Sequence, residues 1–243
     1  MQGYEEIFSK RGKSYHAAMA QFPRARDEEF ETATGYLNNK PTSILLDIPA
    51  GGGYLKKYID RDIQYLAYDF SGEFDDNHTG VAKCREAKID LHSESVDEII
   101  SLAALHHVVD KVGFFKEMFR VLKPGGQFVI GDVVEESRIA SFLNGFLDKW
   151  NSMGHNGSFI NADTDISLLN QCGFSTSFEL KSFHWSFANE AESLEFFRKL
   201  FYLDLNPSDD LLMREIESLG VLRTKNGYCV EWSLGFLKAE KDQ

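Results

Sequence analysis

The chain has 243 residues, room for one large domain with an insertion, and its 43% hydrophobic and 26% charged content marks a globular protein, neither disordered nor fibrous. Acids outnumber bases 38 to 26, and the net charge of -12 argues against a nucleic-acid partner, whose phosphates attract clustered Lys and Arg. Cys84, Cys172 and Cys229 are odd in number, widely spaced and without a CxxC pair, so they suggest neither a disulfide framework nor a zinc site. No metal is expected. With no basic leader ahead of an apolar core and no apolar run of about 18 residues, the expected location is the cytoplasm, with no membrane partner.

Tyr4 to Leu37 is mostly helix-compatible, and Pro23 divides it into two helices; residues 1–40 read as a packing layer or a lid. Apolar segments then recur at Ser43 to Ile48, Gln64 to Asp69, Val96 to Leu102 and Gln127 to Val134, with helix-compatible stretches between, the alternation of a doubly wound α/β sheet. The first runs Ile44-Leu45-Leu46-Asp47-Ile48-Pro49-Ala50-Gly51-Gly52-Gly53: a buried strand, an acid and three glycines that let backbone approach a ligand. The second ends in Asp69, where the carboxyl ends of open-sheet strands meet ligands. A carboxylate there suits the two hydroxyls of a ribose, and a helix cap or solvated acid explains it equally well.

Phe115, Met118, Phe119 and Leu122 fall at helical spacing within Val112 to Leu122, and Lys123-Pro124-Gly125-Gly126 is expected to stop that helix before the next strand. Further on, helix is expected over Ile139 to Trp150 and Thr164 to Cys172, with a Gly- and Asn-rich loop, Asn151 to Asn161, between them. Phe174 to Phe183 and Tyr228 to Lys238 read as strands. Between them Asn189 to Tyr202 and Asp209 to Leu219 read as helices of an insertion over about 186–222, too short to bury a core of its own.

The motifs Asp47 to Gly53, Asp69-Phe70-Ser71, Ser95-Val96-Asp97, Leu105-His106-His107 and Val121 to Gly126 together resemble the class I S-adenosylmethionine-dependent methyltransferases, in particular the broad type 11 small-molecule group. The resemblance covers roughly residues 40–135. It implies a Rossmann-like seven-stranded sheet with an antiparallel last strand, an N-terminal helical lid, a methyltransferase domain over 41–243 and a helical insertion before the last strand. The implied cofactor is S-adenosyl-L-methionine, with S-adenosyl-L-homocysteine as product. The family's acid and three alternating glycines fall on Asp47, Pro49, Gly51 and Gly53, so Pro49 departs from the pattern; it resembles a recognised variant and adds no bulk toward the ligand.

By the same resemblance the loop with Pro49, Ala50, Gly51 and Gly53 contacts the methionine moiety, and Asp47 lies beneath its ammonium. Asp69, with Phe70 and Ser71, holds the ribose and flanks the adenine. Glu86 and Ala87 occupy the adenine-amino position, and Leu102 and Ala103 line the sulfonium end. The helix after Gly53 is expected to offer backbone N–H groups to the cofactor's carboxylate.

Transfer from a sulfonium needs alignment above all, and a general base mainly for a hydroxyl acceptor. His106, His107 and His155 are the candidate bases, the first two also explicable as strand-end hydrogen-bonding residues and the third as a loop histidine. Trp185, Phe197 and Phe201 belong to the most aromatic stretch, which packs the insertion and can shape an apolar acceptor pocket. Tyr15 and Arg24 fall in the lid segment. The expected activity is methyl transfer to a small organic acceptor at O, N or C. Two readings compete: a nicotinamide-dependent oxidoreductase, against which the glycines lack G-x-G-x-x-G order, and a cofactor-binding regulatory protein without transfer activity.

Overall fold

Ile44–Asp47 (β1) is apolar on both faces because it runs through the middle of a sheet and is covered from both sides. A computed structural model describes residues 3–38, 40–74, 80–225 and 227–243, so residues 1, 2 and 39 of the expected lid segment lie outside it. Gln64–Asp69 (β2) and Val96–Leu102 (β4) flank β1 in parallel, Val81–Lys83 (β3) lies outside β2, and Leu122–Asp132 (β5) lies beyond β4. Gly227–Lys241 (β8) runs antiparallel between β5 and Phe174–Phe187 (β6), giving the order β3-β2-β1-β4-β5-β8-β6.

The sheet is therefore mixed α/β, mostly parallel, with an antiparallel last strand. Among the described residues it has eight strands and not seven, because Val221–Thr224 (β7), at the end of the expected insertion, folds back on β8 as a short hairpin. Two other expectations are corrected. Lys123-Pro124-Gly125-Gly126 does not precede the fifth strand but bulges from it, the pairing jumping from Val96 opposite Leu122 to Glu98 opposite Gln127. After Gly53 there is no α-helix, only one 3₁₀ segment, Tyr54–Tyr58, so the expected helix N-terminus for the cofactor's carboxylate is absent there.

Alternation along the strands feeds two cores: Leu45, Ile100 and Val129 face one, Leu46, Ile99 and Phe128 the other. Helix Lys111–Val121 (α3) starts where Asp110 accepts the Gly113 N–H at 2.8 Å, and it packs Phe114, Phe115 and Met118 into the second core.

Before the sheet, Tyr4–Gln21 (α1) and Asp27–Thr34 (α2) are separated at Pro23 as expected. Beyond β5 come Arg138–Ser141 (α4), a π-helical stretch Phe142–Leu147 and Asp148–Trp150 (α5), then Ala162–Gln171 (α6). Glu190–Leu200 (α7) and Asp209–Leu219 (α8) form the helices between β6 and β7. The far half of β6 holds the N-terminal layer: the Ser186 N–H donates to the Ala25 carbonyl at 2.9 Å and the Trp185 indole N–H to Glu29 at 2.7 Å. No helix of the described residues is long and apolar enough to cross a membrane.

Candidate active site

The carboxyl ends of β1, β2, β4 and β5 deliver Asp47, Asp69, Leu102 and Asp132 to one edge of the sheet. The strand order reverses there, between β1 and β4, the place where open α/β sheets bind ligands. Between Asp47 and Asp69 passes the glycine turn. Gly51 and Gly53 take φ of +54° and +70°, a region that costs little only for glycine. The Ala50 N–H donates to the Tyr68 carbonyl and the Gly51 N–H to Asp69 Oδ2, both at 2.8 Å, so the turn is tied to the end of β2.

Both acids are buried. Tyr65 donates to Asp47, and burial first, then the neighbouring Asp69, pushes the Asp47 carboxyl up to about 7. Burial likewise lifts Asp69 to about 7, against the pull of hydrogen bonds from Ser71, Tyr4 and Gly51. The Ser71 N–H donates to Oδ1 at 2.7 Å and the Tyr4 phenol to Oδ2 at 2.9 Å.

A cavity of about 50 Å³ lies over this edge, lined by Asp47, Pro49, Ala50, Gly51, Leu102 and Ala103 below and by Tyr4, Phe8 and Tyr15 of α1 above. The Ile48–Pro49 peptide is cis. Drug-sized ligands fill pockets of roughly 300–1,000 Å³, so α1 occupies space that a nucleoside cofactor needs. Phe70 stands beside it, buried edge-on to Tyr4 at 5.3 Å between ring centroids.

Glu86 and Ala87 are not brought here. Glu86 Oε2 accepts the Val109 N–H at 3.3 Å, ahead of α3, and Ala87 is exposed, so the adenine-amino position expected on them is not part of the cavity. Gly53 turns the chain without lining the cavity. Arg24 points to solvent with 88% of its side chain exposed, ion-paired to Asp27 at 3.0 Å, whereas Tyr15 does face the site.

A second cavity, about 60 Å³, adjoins the first and shares Phe8, Tyr15, Arg26 and Ala103 with it. His106, His107 and His155 line it, together with Trp185, Phe201 and Trp232; the two tryptophans stack at 4.0 Å. The three candidate bases thus converge. Phe197 is packed behind them, tilted against Trp185 at 5.7 Å, as the packing explanation requires.

His106 Nδ1 lies 2.7 Å from Asp132 Oδ1, and the backbone N–H of His106 donates to Oδ2 at 2.9 Å. Because a carboxylate accepts, Nδ1 carries the proton and the Nε2 lone pair is left free. His155 is held the same way: its Nδ1 donates to Asn144 Oδ1 at 2.9 Å, and Asn144 is fixed in turn by two bonds to Gly157. Asn144 lies in the π-helical stretch, an irregularity of a kind often found at functional sites. Burial, neighbouring imidazoles and Arg11 hold His107 and His155 well below the usual histidine range, so both are neutral at pH 7.

The three imidazoles bring nitrogens within 4.8 Å of one another, close enough to converge on one metal ion. The Arg11 guanidinium beside them sets a positive potential that opposes a cation.

Sequence reasoning missed Tyr4, Arg11, Asp132 and Asn144. Asp132 carried the same signal as Asp47 and Asp69, an acid ending an apolar strand. Arg11 falls with Tyr4, Phe8 and Tyr15 at helical spacing on the buried face of α1, a position where an arginine stands out.

The family described as Methyltransferase domain matches residues 46–130, the span that holds β1, the glycine turn, β2, β4 and most of β5. The match takes in about a third of the chain. The protein named Probable tRNA methyltransferase 9B of Mus musculus is 34% identical over 101 residues, 38% of this chain and 22% of its own length. The chain therefore spans about a fifth of that relative.

Among solved structures, a SAM-dependent methyltransferase of Thermotoga maritima superposes with a TM-score of 0.63 at 17% identity, covering 98% of this chain and 99% of its own. Phosphoethanolamine N-methyltransferase 2 of Haemonchus contortus, in complex with S-adenosyl-L-methionine, gives 0.59 at 14% identity, over 100% of this chain and 61% of its own. At such identity the likeness is one of fold. Within the matched span, Asp47, Asp69 and the glycine turn are the groups that fit a cationic nucleoside: buried acids and a backbone that a ligand can approach closely.

Proposed function

We propose that this chain transfers a methyl group from S-adenosylmethionine to a small organic acceptor seated in the second cavity. The observation that carries the reading is the pair of buried carboxylates, Asp47 and Asp69, flanking the positive-φ glycine turn and opening onto an aromatic- and histidine-lined cavity.

Asp69 accepts the ribose hydroxyls in place of Tyr4, and Asp47 faces the ammonium. Ala103 lines both cavities and Leu102 beside it the first, so the reacting centre belongs at Ala103. When bound, the cofactor supplies an electrophilic methyl on a good neutral leaving group, so alignment and exclusion of water do most of the work. Trp185, Phe201 and Trp232 exclude water from the acceptor. His106 takes the acceptor's proton at Nε2 while Asp132 holds Nδ1–H and steadies the imidazolium, a division of labour familiar from base-and-orienter pairs. Residues 1–40 serve as lid and the helices within 186–222 as roof. Cys84, Cys172 and Cys229 are all free thiols, consistent with the cytoplasm.

A small acceptor is favoured by the narrow, aromatic-lined second cavity and by the net charge of -12. The test is transfer of tritium from labelled S-adenosylmethionine to a small-metabolite extract and, separately, to bulk tRNA. Label in the small-molecule fraction that falls about 100-fold in His106→Asn supports the reading; label confined to tRNA overturns the acceptor class.

A further inference from the structure

We propose that Arg11 binds an anionic group, a carboxylate or phosphate, carried by the methyl acceptor. The inference rests on the reading of the second cavity as the acceptor site. Arg11 is only 5% exposed, and among the described residues no hydrogen bond or ion pair engages its guanidinium; Nε is buried without a partner. Its one close ring neighbour is Phe8, at 5.9 Å.

A buried guanidinium without a counter-charge is costly, and proteins pair such groups almost without exception. Arg26, the other arginine on the cavity, shows the normal arrangement: it is forked onto the buried Glu29 and donates to the Tyr15 hydroxyl at 2.6 Å. Arg11 lines the same cavity with no acid among the residues around it. Burial lowers its pKa only to about 10, so it stays charged at neutral pH.

The site is also directional. Arg11 lies seven residues, about two helical turns, beyond Tyr4 on one face of α1, so it sits over the histidines while Tyr4 sits over Asp69. An acceptor with an aromatic body against Trp185 and Trp232 and an anionic tail on Arg11 supplies the missing charge, and a cavity of about 60 Å³ must widen to admit it, as the first must for the cofactor. A planar guanidinium matches carboxylate and phosphate oxygens two at a time, which an ammonium does not.

The test uses the full chain with Arg11→Met and Arg11→Lys, and phenylacetate, phenyl phosphate and neutral phenylacetamide as probes. Without ligand, Arg11→Met should unfold at the same temperature as the wild type or higher, because an uncompensated buried charge has been removed. With S-adenosylhomocysteine saturating, phenylacetate or phenyl phosphate should raise the wild-type midpoint, and phenylacetamide should not. Whichever anion acts distinguishes carboxylate from phosphate. Arg11→Met should lose the response and Arg11→Lys keep part of it, with S-adenosylhomocysteine affinity within about threefold of wild type in both.

A lower midpoint for unliganded Arg11→Met makes Arg11 structural and overturns the proposal. So does an amide that matches the acids, or no response to either anion at 10 mM. Loss of homocysteine affinity in Arg11→Met assigns the guanidinium to the cofactor's carboxylate and overturns it equally. Failure of the wild type itself to bind S-adenosylhomocysteine would count against the methyltransferase reading, a separate result.

Discussion

The Tyr4 phenol donates to Asp69, the carboxylate proposed to accept the ribose hydroxyls, so on that proposal Tyr4 competes with the cofactor for Asp69, inside a cavity of about 50 Å³. Tyr4→Phe removes the competitor while leaving the ring packed on Phe8. It is expected to tighten S-adenosylhomocysteine binding about three- to tenfold, measured by calorimetry, since a hydrogen bond to a charged group contributes about 1.5–3 kcal/mol and part of it is regained from solvent.

The same acids set a pH dependence. Burial lifts Asp47 and Asp69 from the usual 3.8 to about 7, so across that window the folded chain holds protons that the unfolded chain has released. Their contribution to stability is full below pH 3.8 and is lost as pH rises through 7. Denaturant titrations at pH 5 and pH 8 should therefore show the unliganded wild type losing more stability than Asp47→Asn. Homocysteine affinity should move the other way, rising through pH 7 as Asp47 ionises beneath the ammonium. A flat profile identical in both proteins would contradict the placement of Asp47.

At the scale of elements, the N-terminal layer is held unevenly. Its second helix is fixed to β6 through Trp185 and Ser186, whereas α1 crosses the cavities; if the layer acts as the proposed lid, the segment Phe22 to Arg26 is where it would pivot. Glu29 is the anchor: it pairs with Arg26 and accepts from Trp185 with no exposure to solvent. Glu29→Ala leaves Arg26 buried and unpaired and should cost about 3–5 kcal/mol in urea unfolding. Glu28→Ala next to it, on an exposed side chain, should cost less than about 1 kcal/mol.

Elements with a strong period were legible before the structure. β2 and β4 occur where the apolar runs fall, and α8 spans Asp209–Leu219 as its amphipathic pattern requires. β3 and β7, three and four residues long, carry too little pattern to stand out from loop, and they exist because β2 and β8 offer edges to pair with. Lys123 to Gly126 carries every sign of a turn, yet Lys123 is held by Asp97 at 2.8 Å and the strand absorbs the glycines as a bulge. Of the site, Asp47, Asp69 and the glycines were readable because strand ends announce themselves. The Asn144–His155 pairing was not, since it joins a helix to a loop through a π-helical irregularity that leaves no periodic signal.

For the whole molecule, the sheet places two adjoining cavities along one edge, and a single helix covers both. Tyr4 and Phe8 lie over the first and Phe8, Arg11 and Tyr15 over the second, so on the proposed function the helix that would move for the cofactor to enter also completes the acceptor site. The proposal that this edge binds S-adenosylmethionine is tested by calorimetric titration with S-adenosylhomocysteine and with NAD. One S-adenosylhomocysteine molecule should bind per chain, with affinity at least tenfold weaker in Asp69→Asn, and NAD should give no heat. Tight NAD binding with no response to S-adenosylhomocysteine would contradict it.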